Sequence, residues 1–249
     1  MEWSDEGVIL SARPQGEDAI ILQILTVEHG RHAGLLRGGQ GRSLRSQTQP
    51  GSRVRATWRA RLAEHLGSYR CEALGTPLGS LLDAPGPLAA LSSALAMAEI
   101  ALPERAPLPG ALEGLQALLA ALGEAHWAEA YVVWELQLLR LLGFGLDLER
   151  CGATGRNDQL TYVSPKSGRA ISLAAGELYR DRLLPLPGFL VGISGGGREE
   201  VTQGLRLTAH FLERSVCHPH NRGLPPARLR LSDRFTLSGQ DAESGEETE

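Results

Sequence analysis

At 249 residues the chain is long enough to bury one large core or two modest ones. Its 42% hydrophobic and 22% charged residues exclude a disordered or fibrous polymer. The formal net charge of −4 gives no overall attraction to polyanions, so any such surface must come from uneven placement of the 25 basic residues, of which only Lys166 is a lysine.

The first 75 residues read as strands. Gly7 to Ala12 is rich in β-formers and ends at the turn Pro14-Gln15-Gly16-Glu17-Asp18. Ala19 to Thr26 follows and is closed by Glu28-His29-Gly30, and Arg31 to Arg37 runs to Gly38-Gly39-Gln40-Gly41. Pro50-Gly51 precedes Arg53 to Leu62, and Gly67 to Leu74 supplies a fifth strand. Five short strands with glycine and proline turns predict a small barrel with the strand count of an OB-fold.

From about Pro77 the pattern becomes helical. Pro87 to Leu102 and Leu108 to Leu122 carry leucines at helical spacing and are stopped by Pro103 and Gly123. Ala125 to Leu142 is apolar nearly all round, as a central buried helix should be, and Glu199 to Cys217 is a fourth helix. Between them lies a turn-rich stretch with a short helix at Leu173 to Arg180. Ser238 to Glu249 is acidic without an apolar anchor and is expected to be disordered. The expected organisation is α+β: an OB-fold nucleic-acid-binding domain over 1–76, a helical domain over 77–237 with an inserted hairpin at 150–172, and an acidic tail over 238–249.

The segment Arg53 to Leu62 carries the chemistry. Successive strand side chains point to opposite faces, so Val54, Ala56, Trp58, Ala60 and Leu62 share the core side. Arg53, Arg55, Thr57, Arg59 and Arg61 share the other, at i, i+2 intervals of about 6.8 Å, close to the phosphate repeat of an extended single strand. Guanidinium groups grip phosphate through two parallel donors. From Arg31 to Arg70 nine arginines face one acid, Glu64, a local charge of +8. The nucleic-acid contacts predicted are Arg31, Arg37, Arg42, Arg45, Arg53, Arg55, Arg59 and Arg61, with Arg42 and Arg45 in a flexible loop at the rim. Trp3, Trp58 and Tyr69 are the only tryptophans and tyrosine of the barrel, and Trp58 points inward. Binding is therefore expected to be electrostatic and indifferent to sequence, with double-stranded DNA a further candidate ligand, and to show a log–log salt slope near −3.5 if about five phosphates are neutralised.

No catalytic constellation emerges, and the chain reads as non-enzymatic. His29 and His32, and His218 and His220, lack metal-protease spacing, and Gly192 to Gly196 matches GxSxG without an α/β context. Cys71, Cys151 and Cys217 are too scattered for a disulfide framework and fit a reducing cytoplasm. The first six residues lack the apolar run of a signal peptide. The most apolar stretch, 131–142, is shorter than the roughly 20 residues a bilayer needs, so no membrane association is expected.

Several strings together resemble one family. Asp5-Glu6-Gly7-Val8-Ile9-Leu10, Arg13-Pro14-Gln15-Gly16-Glu17, Thr26 to Arg31, Arg37-Gly38-Gly39 and Gln49-Pro50-Gly51 are similar to the barrel of RecO proteins. Trp134 to Gly145 resembles that family's central helix and its glycine exit, and Leu224 to Arg228 its C-terminal segment. The resemblance implies an OB-fold joined to a helical region that binds and anneals single-stranded DNA. It also implies RecR and single-strand-binding protein as partners, with RecA loaded indirectly. Many members carry a four-cysteine zinc module after the central helix. Here Cys151 stands at its first position, Thr154 at its second, and Ser172 and Ala175 near the other two, so a metal-free hairpin is expected, packed by Tyr162, Val163, Ile171 and Leu173, with no cofactor. Two other readings fit the basic strand: an RNA-binding OB protein, and a scaffold whose arginine face binds an acidic protein tail. The chain's own acidic tail is a further candidate for that face.

Overall fold

A computed structural model describes residues 1–39, 41, 47–75, 79, 81, 83–193 and 196–243, with the backbone alone over 237–243. The chain divides into two compact units, 1–123 and 124–249. The change of composition near Pro77 and the division at 123/124 mark different things. The first is a switch of secondary structure; the second is where packing separates, because two helices belong with the barrel.

The first unit opens with five strands: β1 Glu2–Gln15, β2 Ala19–Thr26, β3 Gly30–Arg37, β4 Arg53–Arg59 and β5 Ser68–Gly75. β1 is longer than its sequence pattern predicts because its two halves serve different neighbours. Residues from Glu2 to Val8 pair with β4, and residues from Gly7 to Gln15 pair with β2. A register shift between Ile9 and Ser11 bends the strand between these tasks, as a bulge does where a sheet curls. β2 pairs with β3 and β4 with β5, both antiparallel, and a single parallel bridge, Leu35 to Ser68, closes the order β1-β2-β3-β5-β4 into a barrel. The core inside is Ile9, Ile20, Leu22, Ile24, Leu36, Val54, Ala56, Trp58 and Tyr69. Each large aliphatic side chain removed from water there contributes about 1.5–3 kcal/mol.

β4 ends at Arg59, three residues earlier than its alternating pattern implies. Ala60 is half-buried and still packs against the core, whereas Leu62 is 47% exposed and does not extend it. Two helices complete the unit, α1 Pro85–Ala101 and α2 Ala111–Ala121. α1 begins with proline in its first turn, where no backbone donor is lost, and buries Leu91, Ala94, Leu95 and Ala98. Glu99 of α1 pairs with Arg13 of β1, tying helix to barrel.

The second unit is built on α3 Trp127–Leu141 and α4 Arg198–Leu212. α3 is less enclosed than its sequence predicts: Val133, Gln137 and Arg140 are exposed along one face, while Tyr131, Val132, Leu138 and Leu139 are buried. Between the helices lies a small sheet ordered β7-β6-β8, from β6 Leu160–Val163, β7 Ala170–Ser172 and β8 Leu184–Pro185. The short helix between β7 and β8 is one α-turn, Leu173–Gly176, running into a 3₁₀ helix over Glu177–Arg182. A π-helical turn, Glu213–Cys217, follows α4, and α5 Pro226–Glu243 ends the described chain. The backbone of residues 238–243, expected to be disordered, is therefore helical. The rest of that acidic tail, 244–249, lies outside the described residues. No helix among the described residues is long and apolar enough to cross a membrane.

Charge inside the second unit is held by hydrogen bonds. Glu135 of α3 and Arg228 of α5 are both fully buried and meet through two contacts, Nε to Oε1 at 2.5 Å and Nη2 to Oε2 at 2.9 Å. Tyr131 and Thr208 donate to the same carboxylate, and Arg228 also donates to the Leu205 carbonyl and Ser232 hydroxyl. Burial works against the guanidinium charge, but Glu135 outweighs it and holds Arg228 above its ordinary range.

Candidate nucleic-acid interface

The outer face of β4 carries the predicted alternation. Val54, Ala56 and Trp58 are buried, and Arg53, Arg55 and Arg59 are exposed with Thr57 between them. Arg61 lies beyond the strand end, so the strand itself holds three arginines of the expected four. Their neighbours were not legible from β4 alone. β1 sets Glu2 opposite Arg59, Ser4 opposite Thr57 and Glu6 opposite Arg55. Glu6 lies 2.8 Å from Arg55 and 3.8 Å from Arg53, and Glu2 lies 3.7 Å from Arg59. All three guanidinium groups remain at least half exposed despite this pairing.

A more basic surface lies where the barrel closes. A groove of about 780 Å³ runs along the β3–β5 seam, lined by Arg37, Arg59, Arg61, His65 and Arg70, among others. No acid is among its described lining residues. Because β3 and β5 share one bridge and one further bond, Leu35 N–H to the Gly67 carbonyl, the strands diverge and leave this trough. The β4–β5 loop forms one wall. Gly67 makes that wall possible: its φ is +64°, and a Cβ there would sit 2.4 Å from the Trp58 indole nitrogen. The same indole N–H donates to the Leu66 carbonyl at 2.9 Å. The structure thus brings together Arg37, Arg59 and Arg61 from the predicted set and adds Arg70, which sits opposite Thr57.

Arg31 stands elsewhere. Its backbone and side chain hold the linker between α1 and α2: Nε donates to the Leu102 carbonyl at 3.0 Å, and the Arg105 N–H donates to the Arg31 carbonyl at 2.8 Å. Gly30 lets the linker approach, with φ at +61° and the Ala106 carbonyl 2.1 Å from where a Cβ would be. Arg105 then reaches across to the β4–β5 loop, donating through Nη1 to the Ala63 carbonyl and through Nη2 to the His65 carbonyl at 2.9 Å. It positions the wall that carries Arg61. Sequence reasoning missed Arg105 because Pro103 was read only as a helix stop. The signal was a short segment held stiff by prolines at 103 and 107. Arg42 and Arg45 lie outside the described residues.

The barrel's aromatics are not a base-stacking platform. Trp58 and Tyr69 are buried, and Trp3 is half-buried with His29 stacked on it at 3.9 Å. Burial lowers the pKa of His32 beneath this cluster and pushes the Cys71 thiol, beside the groove, up to about 12. What the surface offers is charge and forked donors.

In the second unit, β6 and β7 form the expected hairpin. Val163 is fully buried and Tyr162 and Ile171 are half-buried, but Leu173 is 42% exposed and does not pack there. Cys151 is buried in a tight turn, with its Sγ accepting the Ser172 N–H at 3.3 Å. Burial raises a thiol, but hydrogen bonds from the side chains and backbones of Ser172 and Thr154 outweigh it and hold Cys151 at about 6. Among the described residues no three His, Cys, Asp or Glu side chains are grouped to hold a metal ion.

Comparison with known proteins agrees with this architecture. Residues 1–75 match the family model for the recombination protein O N terminal region, and residues 85–223 that for the C terminal region. The DNA repair protein RecO of Rhodospirillum centenum is 54% identical over 237 residues, covering 94% of this chain and 95% of that protein. Those of Rhodospirillum rubrum and a Caulobacter species are 49% and 48% identical, covering 94% and 96% of this chain and 96% and 100% of their own.

Proposed function

The chain belongs to the RecO family, and on that premise we propose that it acts in DNA repair as a non-enzymatic recombination mediator whose barrel grips single-stranded DNA. In this role it anneals complementary strands and, with RecR and single-strand-binding protein, helps RecA load. The observation that supports it best is the seam groove, where four guanidinium groups line one trough with no described acid among them. Forked N–H donors on a rigid sheet suit phosphate oxygens, and the absence of exposed aromatics there suits a grip on backbone rather than base.

The test is single-strand binding and annealing by the full chain across salt. Replacing Arg37, Arg61 and Arg70 with alanine should weaken binding by about tenfold or more near 100 mM salt and flatten the log–log slope by about 2, at roughly 0.7 per phosphate. Replacing Arg53 and Arg55 should cost far less. Equal losses from the two sets would move the interface back onto the β4 ridge, and no loss from either would remove it from the barrel.

A further inference from the structure

On the outer face of the barrel, rows of residues run across β1, β4 and β5. One row is Glu2, Arg59 and Ser68; the next is Ser4, Thr57 and Arg70; the third is Glu6, Arg55 and Glu72. Arg55 therefore has an acid opposite it on both sides, while Arg59 faces only Ser68 on its β5 side. Glu6 also reaches Arg53. Exposed arginine–glutamate pairs contribute little to folding. The two strands are already joined by their ladder and by the core beneath, so stability gives no reason for this arrangement. Its effect on a third charge is larger. A phosphate drawn to Arg55 must also approach Glu6 and Glu72, well within a screening length of about 10 Å.

We propose that Glu6 and Glu72 are specificity-determining residues that keep a nucleic-acid backbone off the β4 ridge and confine it to the seam groove. The inference rests on the reading of the barrel as a DNA-binding surface and deepens it. Arg53 and Arg55 are then a ridge held neutral by the neighbouring strands. The usable charge is graded toward the β4–β5 loop, where Arg59, Arg61 and Arg70 converge with Arg37. Limiting the grip in this way suits a protein that must release a strand once it has paired.

The experiment is a gain of binding, which misfolding cannot mimic. Full-length Glu6→Gln/Glu72→Gln is titrated with oligothymidylate from about 50 to 200 mM salt beside wild type. Binding should tighten by about fivefold at the low-salt end, and the slope should steepen by up to about 1.4, two more phosphates' worth. The gain should vanish when Arg53→Ala/Arg55→Ala is added. No gain, or a gain that survives loss of those arginines, overturns the proposal while leaving the groove intact. Wild-type protein that fails to bind the oligonucleotide would instead overturn the DNA-binding reading itself.

Discussion

The two units use the same pair of side chains in opposite ways. In the barrel, Glu6 meets Arg55 at 2.8 Å with both side chains about half exposed, and water competes for every contact. In the second unit, Glu135 meets Arg228 with both fully buried, and protein groups supply the remaining hydrogen bonds. An exposed guanidinium can exchange a carboxylate for a phosphate at small cost, whereas a buried one is committed to the architecture. The comparison predicts a division of labour: salt dependence should arise in the first unit, and the costly electrostatics of folding in the second.

The sharpest way to break that division is to remove half of the buried pair. Arg228→Met leaves Glu135 charged and unpartnered in the core and should cost about 3–5 kcal/mol of stability. Replacing both residues, as Glu135→Leu/Arg228→Met, should recover most of that loss. Urea unfolding measures both. Single-strand affinity, measured where the single variant remains folded, should not change. A large affinity loss would show that the two units do not divide the work.

The buried Cys151 thiol of the same unit gives the pH dependence its sign. Cys151 is held at about 6, against 9 for an ordinary thiol. Its folded-state value is depressed, so its contribution is complete above the unfolded value and is lost as the pH falls through about 6. The stability difference between wild type and Cys151→Ala should therefore grow between pH 6 and 9 and level off above that range. A pH-independent difference would mean that the Thr154 and Ser172 donors hold a neutral thiol.

Much of the barrel was legible because its signals are local. Alternation placed Val54, Ala56 and Trp58 inside and the arginines outside, and the glycine and proline turns separated the five strands. Charge partners were not legible, since Glu2 and Glu6 lie some fifty residues from Arg59 and Arg55 and meet them only through strand register. The groove was hidden for the same reason: it exists because two strands far apart in sequence barely touch. The overrun of β4 past Arg59 has a simpler cause. Ala60 and Leu62 continue the apolar alternation, but the chain turns away into the loop that Arg105 holds.

Arg105 tests whether the barrel's binding surface is built or merely charged. Arg105→Ala removes two donors to the β4–β5 loop, and single-strand affinity should fall by about tenfold if the loop must be held for Arg61 to face the groove. Arg105→Lys should not restore it, because an ammonium lacks the fork that spans the Ala63 and His65 carbonyls. In a double-mutant cycle with Arg61→Ala the two losses should be strongly non-additive. Additive losses would make Arg105 an independent contact.

The smallest effect is also informative. Arg55→Ala removes the 2.8 Å ion pair between β4 and β1, yet its unfolding free energy should change by no more than about 0.5 kcal/mol, as for other exposed pairs. What remains in place is Glu6, still beside Arg53 and now less compensated. Single-strand affinity should therefore fall slightly, through restored repulsion rather than a lost phosphate contact, and the salt slope should stay near that of wild type. A slope reduced by about 0.7 would instead mean that Arg55 itself holds a phosphate, and the ridge would regain the role its spacing suggests.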